Sequence, residues 1–463
     1  MLSTGGADAD TAGMSLSDLV DSIEEVEVQQ TDPTSPIHSV KSFEDLNMDE
    51  NLLKGIYNAK FAKPSKIQEH ALPLLLRDPP EHLIAQAESG TGKTASFSLA
   101  VLTRLDRDDP TAQALILAPT RELAKQIVNV IKELAKFTTA TITAIVRQEQ
   151  GVTFPERVEG QIVVGTPGSV GDLIKRKKLK VSSIKTLVLD EADYMLDLQG
   201  LREQTLHIQR YLPRNIQLVL FSATWDYRVT QFTDQFVTGP SNHIRLPVDI
   251  LTVKTIKQFY IDCEDEEDRF EMLVALYSIM TISQSIIFVE RRDTADKIAR
   301  KMRNRHHAVS YLHGLLNPNE RDDIIADFRS MKSKVLITTN VLARGIDIST
   351  VNLVINYDLP RTRDPNDQTA QEGNRVWNVI PDPVTYLHRI GRTGRFGRRG
   401  VCVNFIHDRI SFEDLREIEN YFKCEIRRVP IASLCEYGTS LEEQKQARID
   451  KMEQFFKQEM KNV

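Results

Sequence analysis

His82-Leu83-Ile84-Ala85-Gln86-Ala87-Glu88-Ser89-Gly90-Thr91-Gly92-Lys93-Thr94, running on into Ala95 to Leu105, is the stretch on which the reading of this chain turns. A short apolar run ends in two closely spaced glycines, and a Lys-Thr pair then opens a helix-like segment. Gly90 and Gly92 let the backbone turn its N–H groups toward an anion at a helix N-terminus, with Ser89 and Thr91 completing the cradle. Lys93 supplies positive charge to the β and γ phosphates of a nucleotide, and the Thr94 hydroxyl suits Mg²⁺. The first glycine of the usual pattern is Ala87 here. A glycine-rich loop alone could be a mere turn, so its partner matters.

That partner is Thr186-Leu187-Val188-Leu189-Asp190-Glu191, a hydrophobic strand closing in two adjacent carboxylates. Asp190 suits the metal, directly or through water, and Glu191 the attacking water of phosphoryl transfer. Gln68, in Pro64-Ser65-Lys66-Ile67-Gln68, carries an amide able to accept from adenine N6 and donate to N7 at once. Guanine would mismatch both contacts, and no Asn-Lys-x-Asp guanine-reading sequence occurs. The nucleotide expected is ATP with Mg²⁺.

Outward from these motifs, apolar runs bounded by Gly, Pro or charge alternate with amphipathic stretches, the pattern of strands buried in parallel sheets between helices. One series comprises 82–87, 114–119, 161–166, 186–191 and 217–224; a second comprises 256–263, 285–290, 334–339, 352–359 and 401–406. At 463 residues the chain exceeds what one core supports, and two units fit the two series. The expected organisation is an acidic, flexible extension over 1–41, an ATP-binding domain over 42–246, a linker over 247–255, a second domain over 256–440 and a C-terminal helix over 441–463. Pro240 to Lys254, polar and broken in periodicity, separates the series. In the last stretch Ile449, Met452, Phe455, Phe456 and Met460 fall at helical spacing, which predicts a helix packed on the body.

The formal charge of −6 argues little about partners, because residues 1–41 hold eight carboxylates against Lys41 alone. Without that extension the balance is close to neutral, and local basic surfaces remain available to a nucleic acid. Lys175-Arg176-Lys177-Lys178 reads as a solvated helix end. Cys263, Cys402, Cys424 and Cys435 lack Cys-x-x-Cys spacing and read as reduced thiols. No apolar stretch is long enough to cross a bilayer and the start lacks the features of a signal peptide, so no membrane insertion and an intracellular setting are expected.

With Gln68, the phosphate loop, Asp190-Glu191-Ala192-Asp193, Ser222-Ala223-Thr224 and His388-Arg389-Ile390-Gly391-Arg392-Thr393-Gly394-Arg395 in this order, the chain resembles the DEAD-box RNA helicases from about Phe43 to Cys424. Pro119-Thr120-Arg121-Glu122-Leu123-Ala124, Thr166-Pro167-Gly168 and Ala343-Arg344-Gly345-Ile346-Asp347 carry the same resemblance. It implies an α/β fold of two tandem RecA-like parallel-sheet domains joined by a short flexible linker. It also implies adenine contacts from Phe43 and Gln68, a ribose contact from Asp347, and arginine fingers at Arg392 and Arg395. Planar, permanently charged guanidinium groups neutralise charge developing on the γ-phosphate. RNA contacts would come from Arg121, Thr166, Gly168, Thr338 and Arg344, gripping phosphates and 2′-hydroxyls rather than base edges. Asp193, Ser222, Thr224 and His388 would couple the nucleotide to the RNA. The chain departs from the family pattern at Ser169, Leu315, Asn319 and Asn340, and in lacking paired glycines around 146–151.

Ser35 to Leu46, Lys54-Gly55-Ile56-Tyr57 and Thr339-Asn340-Val341-Leu342-Ala343-Arg344 resemble the mRNA-export DEAD-box ATPases of nuclear pores. That resemblance implies a monomer acting in nucleus and cytoplasm at the cytoplasmic face of the pore. It further implies a nucleoporin on the first domain and an inositol-hexakisphosphate-bound activator on the second. Leu16, Leu19, Ile23 and Val26 form an amphipathic stripe suited to a helix restraining hydrolysis, against which stands a merely solubilising acidic tail. The activity expected is RNA-dependent ATP hydrolysis that remodels RNA–protein complexes; the alternative is an ATP-gated RNA clamp that needs partners for turnover.

Overall fold

The computed structural model describes residues 26–32, 39–87, 90–146, 156–197, 200–225, 227–245, 256–340, 348, 350–364, 379–394, 400–431 and 441–460. Ser89, Arg344, Asp347, Arg395, Cys435, the stripe residues Leu16, Leu19 and Ile23, and the stretch 247–255 lie outside them. The chain forms two compact units, Met1–Val248 and Asp249–Val463.

In the first unit the strands are β1 (Glu27–Gln29), β2 (His82–Gln86), β3 (Ala114–Leu117), β4 (Ile142–Ile145), β5 (Ile162–Gly165), β6 (Thr186–Leu189), β7 (Gln217–Ser222) and β8 (Ser241–Arg245). They form one sheet in the order β1-β8-β2-β7-β6-β3-β5-β4, parallel except for β1. The inner strands β3, β5, β6 and β7 are buried at every residue, which is why each reads as an unbroken apolar run. Two cores, built on residues such as Phe97, Ile127 and Phe221 in one and Leu115, Leu187 and Phe232 in the other, fill in around the sheet.

The second unit has β9 (Ile256–Asp262), β10 (Gln284–Phe288), β11 (Val309–Leu312), β12 (Val335–Thr338), β13 (Val351–Asn356), β14 (Arg361–Arg363), β15 (Val379–Pro381), β16 (Gly400–Ile406) and β17 (Arg427–Arg428). Seven of these make a parallel sheet in the order β11-β12-β10-β13-β16-β9-β17, and β14 and β15 pair as an antiparallel hairpin. All ten strands legible in the sequence are present, each within three residues of its expected ends.

Two expectations need correction. The acidic extension is not free throughout: β1 pairs antiparallel with β8, Glu27 opposite Arg245 and Gln29 opposite His243. Val26 and Val28 pack on the core, so Val26 leads into a strand rather than continuing a helical stripe. The polar break after Pro240 contains β8, whose Asn242 is fully buried and donates to the Glu81 carboxylate at 2.7 Å. A strand whose one apolar side chain, Ile244, stands among polar neighbours has no apolar run to betray it. β14 and β15, of three residues each, are likewise too short to show an apolar run, and Arg361 in β14 pairs with Asp414 at 2.9 Å.

No helix among the described residues is long and apolar enough to cross a membrane. Cys263 and Cys402 are buried free thiols, and burial pushes the Cys402 thiol up to about 12. The half-buried Cys424 is pushed up to about 11 by the same cause. Such thiols stay protonated and unreactive.

A helix over Leu441–Met460 closes the chain, with Met452 and Phe456 inside the core of the second unit. Between those anchors and the helix start, Arg448 is 2% exposed and meets Asp268 at 3.0 Å while donating to the Asp262 carbonyl. Removing one partner of a buried ion pair strands the other charge, at about 3–5 kcal/mol. Arg448→Ala should therefore lower the unfolding free energy of the second unit by that amount, read as a fall in its denaturant midpoint. An Arg448→Met, Asp268→Leu double variant, which leaves no unpaired buried charge and orphans only the Glu264 amide and the Asp262 carbonyl, should recover part of it.

Candidate nucleotide and RNA sites

The register of the first sheet brings the motifs together. Leu117 pairs with both Gly165 and Leu189, Leu189 pairs with Leu220, and Gln86 pairs with Ser222. The bonds continue past the strand ends: Ala87 N donates to Ser222 O, Asp190 N to Leu117 O and Ala118 N to Gly165 O. Every chemistry-bearing segment of this unit thus leaves the same carboxyl edge of the sheet, where ligands of open parallel sheets bind.

The phosphate loop follows β2 and enters the helix Lys93–Thr103. Gly90 and Gly92 have φ of 90° and 103°, the left-handed region open to glycine at little cost. The Gly92 position is also crowded: a Cβ there would lie 2.6 Å from Gln68 Nε2 and 2.8 Å from Ser65 Oγ. Those two side chains strap the loop, Ser65 Oγ donating to Thr91 O at 2.7 Å and Gln68 Nε2 to Gly92 O at 3.2 Å. Gln68 Oε1 meanwhile accepts from Ser65 N, forming a capping box for the helix Lys66–Leu75. Both ends of the Gln68 amide are thus engaged by the protein. Phe43 departs from expectation, being 1% exposed and part of the core. Phe61, seven residues before Gln68, is only partly buried.

Lys93 and Glu191 are 6% and 5% exposed, and neither Lys93 Nζ nor Glu191 Oε2 has a hydrogen-bond partner. Buried charged groups are rarely left so, because each loses its hydration without replacement. Asp190, 2% exposed, has its carboxyl raised by burial, against which Lys93 pulls downward, so the lysine charge reaches the Asp190 carboxylate. Glu191 sits at φ 52°, a left-handed conformation costly for a side-chain-bearing residue. Its amide donates to Asp190 Oδ1 at 3.0 Å.

Asp193, one turn on in the helix Ala192–Asp197, accepts from Thr224 N and Oγ1 at 3.3 and 3.0 Å, and Ser222 Oγ donates to Thr224 O at 2.7 Å. All three side chains are essentially buried. The Asp190 segment is thereby tied to the end of β7, and through Ala87 to the phosphate loop.

Of the residues expected to hold RNA, Arg121 opens the helix Arg121–Leu134, and Thr166 caps the helix Pro167–Lys175, in which Gly168 is exposed. Helix N-termini favour phosphate oxygens. Ser169, where the family pattern has Arg, bonds Thr166 Oγ1 at 3.2 Å. Thr338 corrects its expectation: it ends β12 between β10 and β11, is fully buried, and donates to Thr339 O. In the same unit His388 and Arg392 are 2% and 3% exposed, with Arg392 Nε donating to His388 O at 3.0 Å. Sequence reasoning passed over Ser65 and Arg389; their signal was only proximity to a motif residue.

Residues 65–232 match the DEAD/DEAH box helicase family and residues 268–397 the helicase conserved C-terminal domain. The ATP-dependent RNA helicase dbp5 of Schizosaccharomyces pombe is 51% identical over 418 residues, covering 89% of this chain and 80% of the relative. The DBP5 of Mycosarcoma maydis is 50% identical over 431 residues, covering 92% and 91%. Among solved structures, S. cerevisiae Dbp5 bound to RNA and ADP BeF3 is 48% identical with a TM-score of 0.77, covering 88% of this chain and all of that one. A variant S. cerevisiae dbp5 bound to nup159, gle1, ip6 and adp is 46% identical with a TM-score of 0.61, covering 90% and 100%.

The strapped loop has a direct test. Gly92→Ala drives a methyl group into Ser65 and Gln68 at a left-handed φ, and should abolish nucleotide binding in a fluorescent-nucleotide titration while far-UV circular dichroism stays that of the wild type. Retained affinity would show that the loop does not need this conformation.

Proposed function

The chain belongs to the DEAD-box family and is an ATP-dependent RNA helicase; we propose that it remodels messenger ribonucleoproteins at the nuclear pore, driven by hydrolysis at the carboxyl edge of the first sheet. The observation that carries the hydrolytic reading is the pair of unpartnered buried atoms, Lys93 Nζ and Glu191 Oε2, close to Asp190. A phosphate oxygen satisfies the first and a water the second. Thr94 and Asp190 are an oxygen donor set suited to Mg²⁺, which keeps several waters and uses one or two carboxylates plus the phosphates. Among the described residues no cluster of three His, Cys, Asp or Glu side chains could hold a metal unaided. When bound, the ion neutralises charge on the transferring phosphoryl group.

The remaining roles belong to the chain itself. Glu191, aimed by its left-handed backbone, orients the attacking water; Lys93 holds the phosphates; Arg392 and Arg395 supply transition-state charge. Gln68 braces the loop and meets adenine by exchanging its Gly92 contact, with Phe61 rather than Phe43 offering an aromatic face. Arg121, Thr166, Gly168 and Arg344 grip RNA backbone without reading sequence, and Asp347 takes the ribose. The Asp193–Thr224–Ser222 network joins the two sets of contacts, and His388 takes part in the same coupling.

Partners follow from the relatives. The solved dbp5 bound to nup159, gle1 and ip6 supports a nucleoporin and an inositol-phosphate-bound activator as ligands of this chain, and hence a place at the pore.

Steady-state ATP hydrolysis at one fixed salt concentration, without nucleic acid, with single-stranded RNA and with matched DNA, tests the reading. RNA alone should stimulate, and Glu191→Gln should bind ATP and RNA while losing most turnover. Negligible rates under all three conditions would instead favour a clamp that turns over only with its partners.

A further inference from the structure

The second unit contains a buried polar row that the roles above do not use. Phe288 pairs in register with Thr338 on one side and Asn356 on the other; Asn356 pairs with Asn404, and Asn404 with Tyr260. Within this row Asn356 Nδ2 donates to Asn404 Oδ1 at 2.9 Å, and both asparagines are fully buried.

The helix Pro383–Ile390 lies on this row and is held there at two points one turn apart. Tyr386 OH donates to Gln258 Oε1 at 2.7 Å and accepts from Asn404 Nδ2 at 3.1 Å. Arg389, 1% exposed, makes the larger attachment. Its Nη1 donates to Asn356 Oδ1 at 2.9 Å and to Asp358 O at 2.7 Å, and its Nε donates to Asn340 Oδ1 at 3.1 Å, where Nη2 donates as well. The guanidinium carbon stands 4.9 Å from the centre of the Phe288 ring.

We propose that Arg389 is a positioning residue for hydrolysis: its fork fastens the helix Pro383–Ile390 to Asn340 and Asn356, and thereby fixes the backbone from which Arg392 projects. This rests on the reading of Arg392 as the group that meets the transferred phosphate. The link is short, since Arg392 N donates to Arg389 O and Arg392 Nε to His388 O. All the oxygens that Arg389 touches are neutral, two amide and one main-chain, so the cation is held by dipoles and a ring face instead of a directly bonded carboxylate. Dipoles in fixed directions demand the planar fork, and an ammonium cannot reach three separated acceptors at once. Asn340, a departure from the family pattern, is the acceptor that receives two of the fork's bonds.

The test compares Asn340→Ala, Asn340→Asp and Arg389→Lys in the full chain at saturating RNA. Loss of positioning acts only when Arg392 must meet the transition state, so Asn340→Ala and Arg389→Lys should lower kcat roughly 10- to 100-fold while KM for ATP stays within about twofold. Asn340→Asp, which keeps the acceptor oxygen, should restore most of kcat, and the thermal midpoint of Asn340→Ala should stay near that of the wild type. Wild-type kcat in Asn340→Ala or in Arg389→Lys overturns the proposal. So does a fall in kcat that Asn340→Asp fails to rescue, or one that tracks a matching fall in thermal midpoint. Arg392→Lys serves as control: unchanged turnover there removes the reading of Arg392 and the proposal with it. Impaired Arg392→Lys beside normal Asn340→Ala removes the proposal alone.

Discussion

The hydrogen-bonded register along the carboxyl edge of the first sheet is the constraint on which the rest depends. β2, β7 and β6 are neighbours, and β3 and β5 follow. The phosphate loop, the Ser222–Thr224 segment and the Asp190 segment must therefore emerge side by side, with the Arg121 and Thr166 segments next in line. A parallel sheet permits this because every strand ends at the same edge and each connection returns behind it. Neighbouring segments along this edge stand one strand spacing apart, about 5 Å. A hydroxyl and a carboxylate can bridge that distance, and Asp193 and Thr224 do so between the ends of β6 and β7.

Around this edge the protein retains local costs that packing would otherwise remove. Glu191 is held left-handed, and Lys93 Nζ and Glu191 Oε2 are buried without partners. A backbone conformation of that kind costs on the order of 1–3 kcal/mol and persists only where its surroundings over-determine it. Here the surroundings are the Asp190 Oδ1 bond to the Glu191 amide and the anchoring of Asp193 to Thr224, one residue pair on either side. The apparent defects fall on atoms that a phosphate and a water complete.

The sequence displayed the apolar strands and the residues that meet a nucleotide, because both obey short-range rules: unbroken apolar runs for strands buried on two faces, and glycines followed by Lys-Thr for an anion cradle. β1, β8 and β11 stayed hidden because edge or polar-faced strands take their stability from partners distant in sequence, as Asn242 does from Glu81. The strapping contacts of Gln68 and the core position of Phe43 went unread for a related reason. Motif spacing says which residues lie near a site, but burial and competing hydrogen bonds decide what each side chain touches. Gln68 is bound to Gly92 and Ser65, and no local pattern could announce that.

The two sheets solve the problem of a buried charge in different ways. At the first, Asp190 and Lys93 feel one another across a site that a ligand completes, so their environment is poised and partly unsatisfied. At the second, burial lowers the Arg389 guanidinium to about 10, and neutral oxygens from Asn340, Asn356 and Asp358 take its Nη1, Nη2 and Nε donors. A guanidinium remains charged under such a shift at neutral pH, so the fork acts as a permanent fastening. An ion pair would bring its own desolvation penalty and its own preferred geometry. Dipoles anchored in β13 and just past the end of β12 add no second buried charge, and they transfer the rigidity of the sheet directly to the helix that carries His388.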